Sequence, residues 1–341
     1  MRDNSISIAK AIAIMLMVLA HTYFSDYGNR IINMFHMPLF FFFSGYCMKD
    51  KYLNEPFDFI YKRIIGLYKP FVKWSIIFLL LHNIFFYLNI YNDEFGFKGN
   101  VSHLYDSSEF FYRLIHIVTR MTDNEELLGG YWFLRSLFVC SIISFIIIKY
   151  NKRPFIGLGG ALLITILLSA YNLHIPYFAI GARETFATLF FILGYYYKKY
   201  SFQVHDHILI LIFGVIIILI GERFWQASLL NFKWYQIVPY AFTALCGTLA
   251  IYYLSRKILN YRSQIQEYLI YIGNNTLIIL TWHFLCFKLV SLIIIIYYKE
   301  PIARLAEFPV ITEYSRNGWF VIYFLFGIII PIQMSKYKFL R

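Results

Sequence analysis

Residues 10–24 read KAIAIMLMVLAHTYF and residues 31–46 read IINMFHMPLFFFFSGY, separated by the short polar stretch SDYGNR. Each run is long and apolar enough to be a membrane helix, and a connection this short makes the two antiparallel neighbours. Lys10, His21 and His36 fall inside these runs. Ionisable side chains at membrane depth are costly, which makes them markers of function.

The whole chain has the same character. Of its 341 residues 60% are hydrophobic and only 15% charged, against about 25% charged in a soluble domain. The expected fold is an all-α integral membrane protein, a bundle of about ten transmembrane helices in a single domain over residues 1–341. The spans fall near 6–24, 31–48, 67–90, 130–149, 154–171, 177–197, 207–221, 236–254, 274–298 and 318–335. Apolar runs this long and continuous exclude barrel strands. The first run lacks a small-residue cleavage site, so it reads as a retained helix.

A net charge of +12 can signal nucleic acid, but the basic residues fall in short clusters between apolar runs. Arg2, Lys49 and Lys51, Lys62 and Arg63, Lys149 with Lys152 and Arg153, Lys198 and Lys199, Arg256 with Lys257 and Arg262, and Lys336 with Lys338 and Arg341 all fall on one side of a ten-span model. That asymmetry predicts cytoplasmic N- and C-termini in a multi-pass protein of the inner (cytoplasmic) membrane, and no nucleic-acid partner. Residues 91–129 form the longest outer connection, with an amphipathic segment in HLYDSSEFFYRLIHIVTRM. Cys47, Cys140, Cys246 and Cys286 lie in apolar runs without metal-like spacing and read as buried thiols. The HDH of residues 205–207 has ligand-type residues but no fourth ligand nearby, so no metal is expected.

Eleven positions at 3.6 residues per turn put Lys10 and His21 on nearly the same helix face, about 16 Å apart along the axis. Two readings stand: a lined passage, or a snorkelling lysine with an interfacial histidine. In the second run, Pro38 is expected to kink the helix two residues after His36, while Ser44 and Gly45 permit close backbone approach.

The basic residue, ten intervening positions and histidine, followed by FHMPLFFFFSGY, resemble the opening of the acyltransferase 3 family of membrane-bound O-acyltransferases. KRIIGLYKPF (residues 62–71), GGYWFLRSLF (129–138) and IGNNTLIILTWHF (272–284) are similar to further family segments in the same order. The resemblance implies transfer of an acyl group, usually acetyl from acetyl-CoA, to a hydroxyl of an extracytoplasmic glycan, of the bacterial O-acetylation, polysaccharide-modification type. It implies His21 as the catalytic histidine and Lys10 as the basic residue of the motif, often arginine. Lysine holds a phosphate as a point charge without the guanidinium fork.

The chemistry agrees with that expectation. An imidazole with a pKa near 6.5 can accept the proton of an attacking alcohol, and His36 is a second catalytic candidate. Coenzyme phosphates call for cations, and Lys10, Lys62, Arg63 and Lys69 supply them near the cytoplasmic face; membrane orientation alone is the competing account. Trp132, Arg135, Glu184 and His283 are further candidates for substrate contacts, Trp132 against an aromatic belt, Arg135 against a snorkelling arginine and His283 against a buried hydrogen-bonded histidine, while Glu184 with Arg183 near the start of the sixth span could orient a substrate. The expected partners are acetyl-CoA as co-substrate, a glycan or lipid-linked sugar acceptor and the bilayer. No bound cofactor is expected, and the oligomeric state stays open. The alternatives are a transporter or flippase of a glycan or lipid intermediate, or a non-catalytic polysaccharide-export component.

Overall fold

The computed structural model describes residues 3–96, 101–151, 153–176, 180–200, 207–261 and 263–337. Arg2, Lys152, His205, Asp206, Arg262, Lys338 and Arg341, and the first residues of the expected sixth span at 177–179, lie outside them. The described residues fold as helices and connecting segments.

In chain order the helices are α1 (Asn4–His21), α2 (Asp26–Asn33), α3 (His36–Tyr46), α4 (Pro56–Arg63), α5 (Lys69–Tyr87), α6 (Ser107–Arg120), α7 (Trp132–Tyr150) and α8 (Pro154–Ala170). There follow α9 (Ala182–Lys199), α10 (Leu209–Phe224), α11 (Ile237–Asn260), α12 (Gln264–Asn274), α13 (Thr276–Tyr298), the single turn α14 (Thr312–Tyr314) and α15 (Phe320–Met334). Among the described residues, six continuous helical stretches are long and apolar enough to cross a membrane: Asn4–His21, Pro56–Tyr87, Glu126–Tyr150, Trp234–Asn260, Thr276–Tyr298 and Thr312–Met334. The expected ten spans thus reduce to six that meet both criteria. The other expected runs coincide with α2–α3, α8, α9 and α10. Of these, α8 and α10 are short, with 17 and 16 residues, and α9 carries Arg183, Glu184, Lys198 and Lys199 at its ends.

Two expectations about local shape need correction. The second apolar run is not one helix kinked at Pro38. It breaks at Met34–Phe35, where three-residue turns run from Met34 N–H to Ile31 and from Phe35 N–H to Ile32. Pro38 sits in the first turn of α3, where its missing N–H has no helical partner to lose. Nor do Lys62 and Arg63 lie in a loop before the third span. They end α4, which continues through a π-helical stretch at Ile64–Tyr68 into α5. Pro70 follows at once, and the wide turn accommodates the ring and the lost donor.

The helices pack as two compact units. One holds Met1–Leu16, Tyr27–Leu67 and Ser136–Asn274; the other holds Met17–Asp26, Tyr68–Arg135 and Asn275–Arg341. Helix α1 gives its first part to the former and its last turns to the latter.

In the first unit α3 lies against α9 at backbone distance. A Cβ on Gly45 would come within 1.8 Å of the Phe191 carbonyl oxygen, and one on Gly194 within 1.9 Å of that of Phe42. Glycine is required at both positions, which accounts for the small residues closing FHMPLFFFFSGY. Cys140, Cys246 and Cys286 are buried, as expected, whereas Cys47 at the end of α3 is exposed. In the second unit, the amphipathic stretch expected between residues 91 and 129 forms α6, capped where the Asp106 carboxylate accepts the Glu109 N–H. It buries Arg113 and Ile117 and exposes Phe111 and Ile115.

Candidate active site

The second unit gathers the residues around His21. The imidazole at the C-terminal end of α1 stacks on that of His283, with ring centroids 5.3 Å apart and planes at 23°. Phe284 lies 4.8 Å from the same ring. Helix α13 presents Ile279, His283, Phe287 and Val290 at helical spacing, all buried. The Nδ1 of His283 donates to the carbonyls of Ile279 and Leu280, at 2.9 and 3.1 Å. A carbonyl only accepts, so Nδ1 carries hydrogen and the neutral ring keeps its lone pair on Nε2. That Nε2 is buried, without a hydrogen-bond partner among the described residues.

The motif segments meet here. A Cβ on Gly130 would fall 2.6 Å from Leu280 Cδ1, and Gly129 faces the rings of Phe284 and Phe308. Tyr131 and Thr281 hydroxyls lie 2.7 Å apart; Thr281 donates to the Leu277 carbonyl, so Tyr131 donates to Thr281. GGYW and LTWHF, far apart in sequence, thus interlock. The segment after α13 closes on the cluster, with Phe308 4.7 Å from Phe284. Lys288, 3% exposed, donates to the carbonyls of Leu305 and Glu307 at 2.9 and 2.8 Å. Its ammonium holds that segment with charge-assisted bonds.

The other expected residues divide. Trp132 and Arg135 sit in the first turn of α7, Trp132 half-buried against Phe133 and Arg135 buried. Lys69 is exposed at the start of α5, in the second unit.

Lys10, His36, Lys62, Arg63 and Glu184 belong to the first unit. Lys10 and Arg63, with Lys198, all act electrostatically on the Cys47 thiol. The Arg63 guanidinium lies over the rings of Phe59 and Phe191, at 4.8 and 5.6 Å. Lys62 turns away, exposed and bound to Asp58 at 3.1 Å and to the Tyr52 hydroxyl at 2.9 Å. His36 is buried and donates through Nδ1 to the Ile32 carbonyl at 2.8 Å.

Glu184, 1% exposed, accepts from Ser136 Oγ at 2.8 Å, from Gly181 N–H at 3.1 Å and from Arg183 Nε at 2.8 Å. This is the pattern of an acid closing a helix N-terminus. With Arg183, Asn172 and His174 it also edges an open cavity of about 290 Å³.

Sequence reasoning missed one buried polar pair. His82 Nδ1 lies 2.9 Å from Glu125 Oε2, both side chains essentially fully buried, and Nε2 donates to the His103 carbonyl at 2.9 Å. With Nε2 committed as a donor, one proton must sit between Nδ1 and the carboxyl group. The Tyr105 ring lies parallel to the imidazole, centroids 3.3 Å apart. The available signal was the one that exposed His21, an imidazole inside an apolar run, LLLHNIFF. Glu125 carried none, being one of several acids in a polar connection.

A family model described as an acyltransferase domain matches residues 3–335. No curated protein and no solved structure matches the chain. The matched stretch takes in α1, the FHMPLFFFFSGY segment and the interlocked GGYW and LTWHF motifs, and the chain belongs to the acyltransferase 3 family of membrane acyltransferases.

Proposed function

We propose that this protein transfers an acetyl group from cytoplasmic acetyl-CoA to a hydroxyl of an extracytoplasmic glycan, with His21 as general base. The observation that carries this reading is the stacked His21–His283 pair at one end of α1, the helix that also bears Lys10. The hydroxyl proton passes to His21 as the oxygen attacks the thioester carbon. The C–S bond breaks, and the imidazolium returns the proton to the thiolate, so acyl ester and free thiol are the products. A positioned imidazole contributes about 10²–10⁴ to such a step.

Lys10 and Arg63 are assigned to the coenzyme phosphates, and His283 to the acceptor through its bare Nε2. The orientation follows the basic clusters, with both termini cytoplasmic. In a ten-span arrangement α2–α3, α8, α9 and α10 supply the crossings beyond the six long helices.

The test is transfer of label from radioactive acetyl-CoA into the glycan fraction of membranes carrying the wild-type chain or His21→Ala. Loss of transfer in the variant, with the protein still present in the membrane, is expected. Near-wild-type transfer would remove the proposed base.

A further inference from the structure

The first unit contains a feature the reaction outlined above leaves unused, a triangle of tyrosines beside the basic cluster. The rings of Tyr46, Tyr197 and Tyr252 lie pairwise 6.0–6.4 Å apart, and the Tyr46 and Tyr252 hydroxyls are 3.3 Å apart. The Lys198 ammonium stands 5.5 Å over the Tyr46 ring. Cys47, the next residue, feels Lys10, Lys198 and Arg63 together. Tyr252 is buried at the back, Tyr46 and Tyr197 are half-buried, and Lys198 and Cys47 are exposed.

An aromatic core patch would bury all three rings and keep cations at a distance. Here two of the three rings are only half-buried, Lys198 stands over one of them, and Lys10 and Arg63 act on the adjoining Cys47. Aromatic faces next to convergent cations suit a flat, π-rich ligand bearing several negative charges. Asp3, which also acts on Tyr46 and Cys47, offers an acceptor to an exocyclic amine.

We infer that Tyr46, Tyr197 and Tyr252, with Lys198 beside Lys10 and Arg63, form the seat for the adenosine 3′,5′-bisphosphate end of the acyl donor. The base stacks on the tyrosines, and the phosphates take the three cations. The assignment rests on the coenzyme A donor proposed above and adds the part of it that is recognised here.

Cys47 supplies the readout, because it is the exposed one of the four free cysteines. In the purified full-length protein, alkylation of Cys47 by a maleimide is followed with and without adenosine 3′,5′-bisphosphate or coenzyme A, alongside equilibrium binding of labelled coenzyme A. Both compounds should slow alkylation, and pantetheine should not. Tyr197→Ala should weaken bisphosphate binding about tenfold, the lower range for one lost base-stacking partner. Lys198→Ala should weaken adenosine 3′,5′-bisphosphate more than adenosine, and this exposed lysine can be replaced without disturbing the packed interior.

If coenzyme A binds while the bisphosphate neither binds nor protects, the adenine end sits elsewhere and this inference falls, leaving the donor assignment intact. Unchanged affinity in both variants has the same consequence. If labelled coenzyme A itself does not bind, the donor reading falls with it.

Discussion

The imidazoles of His21 and His283 stack at 5.3 Å, one from the end of the first long helix and the other from the middle of the thirteenth. The second ring is locked by its two backbone carbonyls, so it offers its neighbour's site a fixed acceptor nitrogen. That relationship sets the first expected outcome. His283→Phe keeps a ring of similar breadth but removes the acceptor, so transfer should fall by about tenfold or more while the protein stays folded, the scale of one lost polar contact in a dry site. Radiolabel transfer at matched protein level is the measurement. Wild-type transfer would assign His283 to packing alone.

The α3–α9 contact predicts a sharp contrast between glycines. Gly45→Ala or Gly194→Ala drives a methyl into a facing carbonyl and should destabilise by about 1–3 kcal/mol or prevent folding. Gly159→Ala on α8 meets open space and should be neutral or stabilising, by about 0.5–1 kcal/mol. Thermal denaturation in one detergent compares the three, and an equal response would show that the backbones are not in contact.

Lys288 pins the segment carrying Phe308 through the Leu305 and Glu307 carbonyls. Lys288→Met keeps much of the apolar stem and strips both bonds, leaving two carbonyls short of a donor, at about 1–3 kcal/mol for each left buried. Amide exchange in residues 302–308 should accelerate while that of α13 changes little. Unaltered exchange would mean the segment is held by its apolar contacts alone.

The connection that carries α6 should loosen in acid. Partial burial pushes the Glu109 carboxyl up, but hydrogen bonds from Arg113 and His103 outweigh it and hold the group below its ordinary value. A carboxyl depressed in the folded state adds stability above its unfolded pKa, about 4.3, and that contribution is lost as pH falls through the folded value. Protection of α6 against amide exchange should therefore be steady from neutral pH to about 5 and decline below about 4. Glu109→Gln should lower protection at neutral pH and flatten its acid dependence; a variant with the wild-type profile would place the acid response elsewhere.

Local chemistry made much of this protein legible in its sequence. The long apolar runs fixed an all-helical membrane class, and a period of 3.6 residues put Lys10 and His21 on one face of one helix. The motif segments carried the family, and the amphipathic spacing located α6. These features depend on hydropathy and backbone geometry within a few turns, which neighbouring residues contain.

Only the tertiary structure decided which helices face one another. Sides of a membrane helix that meet lipid and sides that meet protein are equally apolar, so composition does not rank the possible partners. It took folding to place His283 on His21, to separate Lys62 from Arg63, and to join His82 to a glutamate no pattern distinguished. The break at Met34–Phe35 has the same origin. Proline marks where a helix can be interrupted, but packing chooses where it is, and here the interruption precedes His36, with Pro38 left inside a regular first turn.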